Sequence, residues 1–193
     1  MRFIKRTLLL LLPALLLLTS CSETEDAVVY DTWAIENQAY LAKIAAEAGE
    51  NASGDWKVFL AYGLDESRTW PSDYYVYCKV KQSGSEPGYP SYNSVVSVNY
   101  SGRLINGTIF DETYTGELVP EKETPVELQL NACVQGFVTA LQEMQRGDVW
   151  EIYIPPVLGY GSTVTGNIPA GSMLIFTVNL VDFVHNGETV GCN

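Results

Sequence analysis

Residues 173–183 place Leu174, Phe176, Val178 and Leu180 at every second position. That period of two puts the four side chains on one face of a strand. A strand with one apolar face needs neighbours in a sheet and a core beneath it, so this stretch commits the chain to a packed sheet. Other segments offer the partners. Val95 to Leu104 alternates, with Val96, Val98 and Tyr100 on one face, and residues 74–81 are aromatic and β-branched. Residues 149–155 form another strand candidate. Shorter ones cover 108–112, after the turn signal Asn106-Gly107, and 126–130. Val134, Phe137, Leu141 and Met144 fall at helical offsets and are closed by Arg146-Gly147. Loops rich in Gly, Pro and Ser separate these elements at 82–92 and 156–172. About six mostly antiparallel strands with one short helix among them predict an α+β fold, a sheet packed on a helix.

The chain ahead of the sheet is different. In residues 32–48, Leu41, Ile44, Ala45 and Ala48 recur at helical spacing and Gly49 follows as a stop. This amphipathic helix has two possible partners, its own domain or a second copy in a homodimer. Residues 49–57 read as a loop, 58–62 as briefly β-prone and 63–73 as turn-prone. At the N-terminus, Arg2, Lys5 and Arg6 precede an apolar run from Leu8 to Leu18. The run falls short of the roughly 20 residues of a bilayer span and fits the core of a secretory signal. Leu18-Thr19-Ser20-Cys21 resembles the lipobox of bacterial lipoproteins. The resemblance implies that Cys21 is the lipidated first residue of the mature chain, held at a membrane of the bacterial envelope. The outer membrane, on its periplasmic or surface face, is the expected address. The acidic residues after Cys21 read equally as a surface-export signal or a solvated tether.

Charge and side-chain inventory narrow the chemistry. The formal net charge is −12. Removing residues 1–20 takes three of the 11 basic residues and none of the 23 acidic ones, leaving −15. Such a chain lacks the clustered cations that bind nucleic acid. His185 is the one histidine, and none of the four cysteines forms a CxxC pair. A zinc site or a Ser-His-Asp triad is therefore a poor fit. Beyond Cys21, the odd set Cys78, Cys133 and Cys192 leaves at least one thiol without an internal partner.

Four motifs then carry a resemblance. Val98-Asn99-Tyr100-Ser101-Gly102-Arg103-Leu104 with Asn106-Gly107-Thr108-Ile109-Phe110-Asp111 is similar to VHYTGxLxDGxxFD. Val134-Gln135-Gly136-Phe137, with Leu141, Met144 and Gly147, is similar to VIPGWxxxLxxMxxG. Ile154-Pro155-Pro156, Leu158-Gly159-Tyr160-Gly161, Ile168-Pro169 and 174–180 are similar to IPPxLAYG…IPPxxxLxFxVEL. These are signatures of FKBP-type peptidyl-prolyl cis-trans isomerases, met here in order from about Tyr74 to Phe183. The stretch Gln38 to Gly49 also resembles, weakly, the helix that precedes the domain in periplasmic members.

The resemblance implies an antiparallel half-barrel sheet wrapped around one short helix, with an N-terminal helical extension. Its organisation is a signal at 1–20, an acidic tether at 21–31, an extension and linker at 32–73, the isomerase domain at 74–184 and a tail at 185–193. It implies a pocket lined by Tyr100, Phe110, Asp111, Val126, Val134, Phe137, Tyr160, Ile168 and Phe176. Phe137 forms the floor, where the family usually has tryptophan. Tyr160 and the Val134 N–H donate to substrate carbonyls, and Tyr100 orients Asp111 at the edge. Cys133 lies within the motif region, which favours Cys78–Cys192 as a pair. The segment from Glu112 to Pro125 is about six residues longer than usual and has no arginine to pair with Asp111, only Lys122. The loop from Ser162 to Asn167 is a little shorter than in some relatives.

The implied reaction is rotation about an Xaa-Pro bond in a polypeptide. It breaks no covalent bond, so a chain poor in histidine and metal ligands suits it, and no cofactor is implied. Three functions stay open at this point. One is an isomerase that assists folding of extracytoplasmic proteins. Another is a catalytically weak module that holds proline segments as a chaperone or adaptor. The third is a structural lipoprotein using residues 27–73 as an interface.

Overall fold

The computed structural model describes residues 25–185. The signal, Cys21, most of the C-terminal tail and Cys192 lie outside them. Seven strands form one antiparallel sheet: β1 (Trp56–Leu60), β2 (Tyr75–Gln82), β3 (Val95–Arg103), β4 (Ile109–Glu112), β5 (Val126–Gln129), β6 (Val149–Ile154) and β7 (Leu174–Val184). The order is β1-β2-β6-β7-β3-β4, with β5 also on β3. The alternating segment, β7, therefore lies inside the sheet, between β6 and β3. Strands β4 and β5 share one edge of β3 in tandem: β5 pairs with Val95–Val98 and β4 with Ser101–Arg103.

The inner face of the sheet holds the main core. Leu174, Phe176, Val178 and Leu180 join Val96 and Val98 of β3, Val76 and Cys78 of β2, and Trp150, Ile152 and Ile154 of β6. Against them packs α2 (Gln135–Leu141), through Phe137, Val138, Ala140 and Leu141. Burying each of the larger side chains contributes roughly 1.5–3 kcal/mol. Gly136 allows the close approach of α2 to β6: a Cβ there would stand 2.3 Å from Ile154 Cγ2. This is the expected α+β half-barrel around a short helix. Cys78 is fully buried in this core, and burial pushes its thiol pKa up, keeping it protonated.

The upstream region departs from expectation in two ways. Helix α1 runs Glu25–Glu50, so it takes in residues expected to be tether. Residues 56–60, which overlap the briefly β-prone 58–62 but were expected to lie in a linker, form the edge strand β1, so the sheet begins well before Tyr74. The strand is anchored on both faces. Phe59 stacks on Trp150 inside, with ring centroids 6.0 Å apart, and Trp56 joins a cluster on the outer face.

Helix α1 covers that outer cluster. Leu41, Ile44 and Ala48 pack against Trp56, Tyr77, Tyr153, Met173 and Ile175. The apolar stripe of α1 thus docks on its own sheet. A polar latch fixes the register. Asn37, 1% exposed, donates through Nδ2 to the Trp33 carbonyl and accepts the Met173 N–H at Oδ1, both at 2.8 Å. Trp33 Nε1 donates to Ser172 Oγ at 2.9 Å. Among the described residues no helix is long and apolar enough to cross a membrane.

Candidate active site

A cavity of about 530 Å³ opens between the sheet and the N-terminal end of α2. Strand β3 contributes Tyr100, β4 contributes Phe110 and Asp111, and β7 contributes Phe176. Phe137, at the third position of α2, reaches up from beneath, and Val134 caps that helix. Tyr160 and Ile168 come from the loop between β6 and β7. The rings meet edge to face. Phe176 is the hub, with centroids 5.2 Å from Phe137, 5.4 Å from Phe110 and 6.1 Å from Tyr100. Such offset contacts suit the ring quadrupoles and fix each ring against the next. Gly102 on β3 makes room for this arrangement, since a Cβ there would lie 2.6 Å from Phe110 and 2.7 Å from Phe176.

Polar groups are few. The Tyr100 hydroxyl donates to Asp111 Oδ2 at 2.6 Å. Burial, then this bond to a carboxylate, raise the Tyr100 pKa far above the ordinary phenol range. Among the described residues no cationic side chain pairs with Asp111, and Lys122 forms no ion pair. Among the described residues, Tyr100 is thus the side chain that holds Asp111. Two donors are unspent. The Tyr160 hydroxyl and the Val134 N–H have no acceptor among the described residues. Tyr160 is 38% exposed on a tight turn, in which the Gly161 N–H bonds the Pro156 carbonyl at 2.8 Å and Gly161 takes φ +59°. Among the described residues no group of three or more His, Cys, Asp or Glu is placed to hold a metal ion.

Eight of the nine expected pocket residues line this cavity: Tyr100, Phe110, Asp111, Val134, Phe137, Tyr160, Ile168 and Phe176. Val126 does not. It pairs with Val98 at the end of β5 and is 37% exposed, while Leu128, two residues on and on the same strand face, forms the wall. Cys133, Ala132 and the turn Thr165-Gly166-Asn167 also line it. The turn is closed by reciprocal backbone bonds between Thr165 and Ile168. Alternation along 126–130 already puts Leu128 beside Val126; the turn carried only a signal of altered loop length.

A family model described as FKBP-type peptidyl-prolyl cis-trans isomerase matches residues 87–181. Residues 87–181 of this chain belong to that family. The FKBP domain is 42% identical over 104 residues to the peptidyl-prolyl cis-trans isomerase Mip of Coxiella burnetii, covering 53% of this chain and 42% of the relative. It is 33% identical over 143 residues to a probable FKBP-type isomerase of Haemophilus influenzae, covering 74% of this chain and 54% of that one. The chain thus spans roughly half or less of these curated relatives. Among solved structures, a peptidyl-prolyl cis-trans isomerase from Pseudomonas syringae aligns with TM-score 0.54 at 28% identity, over 76% of this chain and 95% of that one. Escherichia coli FkpA aligns with TM-score 0.51 at 26% identity, over 82% and 67%.

Proposed function

We propose that this protein catalyses cis-trans rotation about Xaa-Pro bonds of polypeptides, in the cavity floored by Phe137. The barrier to be lowered is about 18–20 kcal/mol, and the two isomers lie within about 1 kcal/mol of each other. At the top of the barrier the amide has lost its resonance, so a dry apolar enclosure stabilises it relative to water. The four interlocked rings of Tyr100, Phe110, Phe137 and Phe176 supply that enclosure for the pyrrolidine ring. Fixed donors act on the carbonyl oxygens that flank the twisting bond. The Tyr160 hydroxyl and the Val134 N–H serve here, and Asp111, held by Tyr100, marks the polar edge of the cavity. A gain of ~10⁴ in rate requires about 5–6 kcal/mol of such differential binding. No proton or electron pair changes hands.

The observation that carries this reading is the pair of unspent donors at the rim of an aromatic cage. Tyr160→Phe tests it. Loss of one neutral hydrogen bond should lower kcat/KM about three- to tenfold while the melting temperature holds. An unchanged kcat/KM removes Tyr160 from the mechanism.

The N-terminal sequence supports a place of action. One relative, 35% identical over 100 residues, is named outer membrane protein MIP, from Legionella longbeachae. We infer that Cys21 is acylated and holds the FKBP domain at a membrane of the cell envelope, where unfolded extracytoplasmic polypeptides are the substrates. Cys21→Ala should shift the protein from the membrane to the soluble fraction. Retention in the membrane fraction contradicts the anchor.

A further inference from the structure

The aromatic cavity does not end at Cys133. That residue also lines a second, smaller cavity of about 350 Å³. Tyr62 and Tyr92 form its aromatic wall, and Asn131 and Gln135 its polar one. The two tyrosines come from loops far apart in sequence, one after β1 and the other before β3. Their rings nevertheless stack at 5.3 Å, inclined by 14°. Both stay open to solvent, at 47% and 40% exposure, although rings of this size gain most from burial.

Both loops are held in place. The Tyr62 N–H donates to Thr139 Oγ1 and Gln135 Nε2 donates to the Tyr62 carbonyl, each at 2.9 Å, so α2 holds both backbone groups of Tyr62. Near Tyr92, the Ser94 carbonyl accepts the Leu130 N–H at 3.0 Å, and Asn131 Nδ2 donates to Asn93 Oδ1 at 2.9 Å. Thus α2 and the turn before it, which present Val134 and Phe137 to the main cavity, also fix the tyrosine pair. Among the described residues no charged side chain lines the second cavity, on a chain of net charge −12.

The geometry points to one continuous substrate cleft: a polypeptide whose proline occupies the main cavity passes over Cys133 and lays a second proline or an aromatic ring against Tyr62 and Tyr92. This assignment rests on the isomerase reading for what fills the main cavity. Extended and polyproline-type segments present rings at little entropic cost and dock well on aromatic walls. The carboxamides of Asn131 and Gln135 offer both donors and acceptors to the passing backbone. The substrate class is therefore a neutral extended segment with a ring roughly two to five residues from the target proline, within the reach of about 3.3–3.6 Å per residue.

The test uses the full chain and fluorescent peptides of about twelve residues. One set carries phenylalanine at those spacings on either side of a single proline; the control set carries glycine instead. Fluorescence anisotropy should show the best phenylalanine peptide binding about three- to tenfold tighter than its control. Tyr92→Ala should erase that advantage and Tyr92→Phe should keep it, with kcat/KM on a four-residue Xaa-Pro peptide unchanged in both. Equal binding of the two sets by the wild-type chain, or an advantage that survives Tyr92→Ala, overturns the extended cleft. Binding does not require turnover, so a chain that binds with the ring preference but fails to speed isomerisation contradicts the isomerase reading alone. Active protein with no ring preference contradicts only the extended cleft, and a chain that binds neither set contradicts it as well.

Discussion

The Tyr100 hydroxyl reaches across from β3 to Asp111 on β4, and the two oxygens stand 2.6 Å apart. Strand pairing sets this up, because Gly102 lies opposite Asp111 in the ladder and leaves room for the Phe110 ring between β4 and β7. The bond fixes the polar edge of the cavity without a cation. Removing either end should release the other. Tyr100→Phe and Asp111→Ala should each lower kcat/KM about three- to tenfold. The double variant should be no worse than the more severe single one, since both remove one interaction. Additive losses in the double-mutant cycle would show that the two groups act separately.

Alkaline stability follows from the tyrosines. Burial is the leading cause that raises the pKa of Tyr77, Tyr100, Tyr114 and Tyr153. The folded state then keeps protons that the unfolded state gives up near pH 10. Their contribution to stability is complete below about pH 10 and declines as the pH rises above it. Chemical denaturation at a series of pH values should show stability falling from that point, with a shallower fall in Tyr100→Phe. A flat profile up to pH 11.5 or so would contradict the burial of these phenols.

Gly102 serves the ring cage. In Gly102→Ala the new methyl collides with Phe110 and Phe176 together. Overpacking of this kind costs about 1–3 kcal/mol, and the displaced rings lie in the cavity wall, so kcat/KM should drop at least about tenfold. Gly49→Ala, at a helical position with open space around it, is the control: activity should stay unchanged and stability should hold or rise by up to about 1 kcal/mol. Wild-type activity in Gly102→Ala would mean that the cage tolerates a shift in both rings.

Asn37 latches α1 to the sheet. Asn37→Ala leaves the buried Met173 N–H without its acceptor, which costs about 1–3 kcal/mol. In a chain of this size the melting temperature should fall by roughly 2–10 °C. Activity on a short peptide should remain, because the latch lies on the outer face of the sheet. An unchanged melting temperature would mean that the helix is not fixed through this bond.

How much of this was legible in advance varied with the physics of each segment. The alternation in β7 and the helical offsets of Val134, Phe137 and Leu141 speak directly for the sheet and for α2, because burial on one face leaves a period. Strand β1 is different. The overlapping 58–62 stretch reads as β-prone, but with Trp56 and Phe59 facing opposite sides the strand leaves no single apolar face to assign it to the sheet. The early start of α1 was hidden because the acidic stretch after Cys21 reads as a solvated tether. In the site, Phe110, Asp111, Tyr160 and Phe176 stand out because each falls within a recognisable motif. Val126 and Leu128 share a face of β5, and only the register with Val98 and Val96 decides which of them meets the cavity. The stacking of Tyr62 on Tyr92 joins two loops with no local pattern, so only the folded chain brings it into view.

The central claim is that the cage around Phe137 lowers the barrier to rotation about a prolyl bond. The direct measurement is the cis-to-trans relaxation of a short Xaa-Pro peptide with the full chain present at micromolar concentration. The uncatalysed reaction takes tens to hundreds of seconds at 25 °C. The account predicts that relaxation quickens in proportion to protein concentration, and that Tyr160→Phe and Asp111→Ala reduce the effect. A rate equal to the uncatalysed background, with the protein folded, would contradict it.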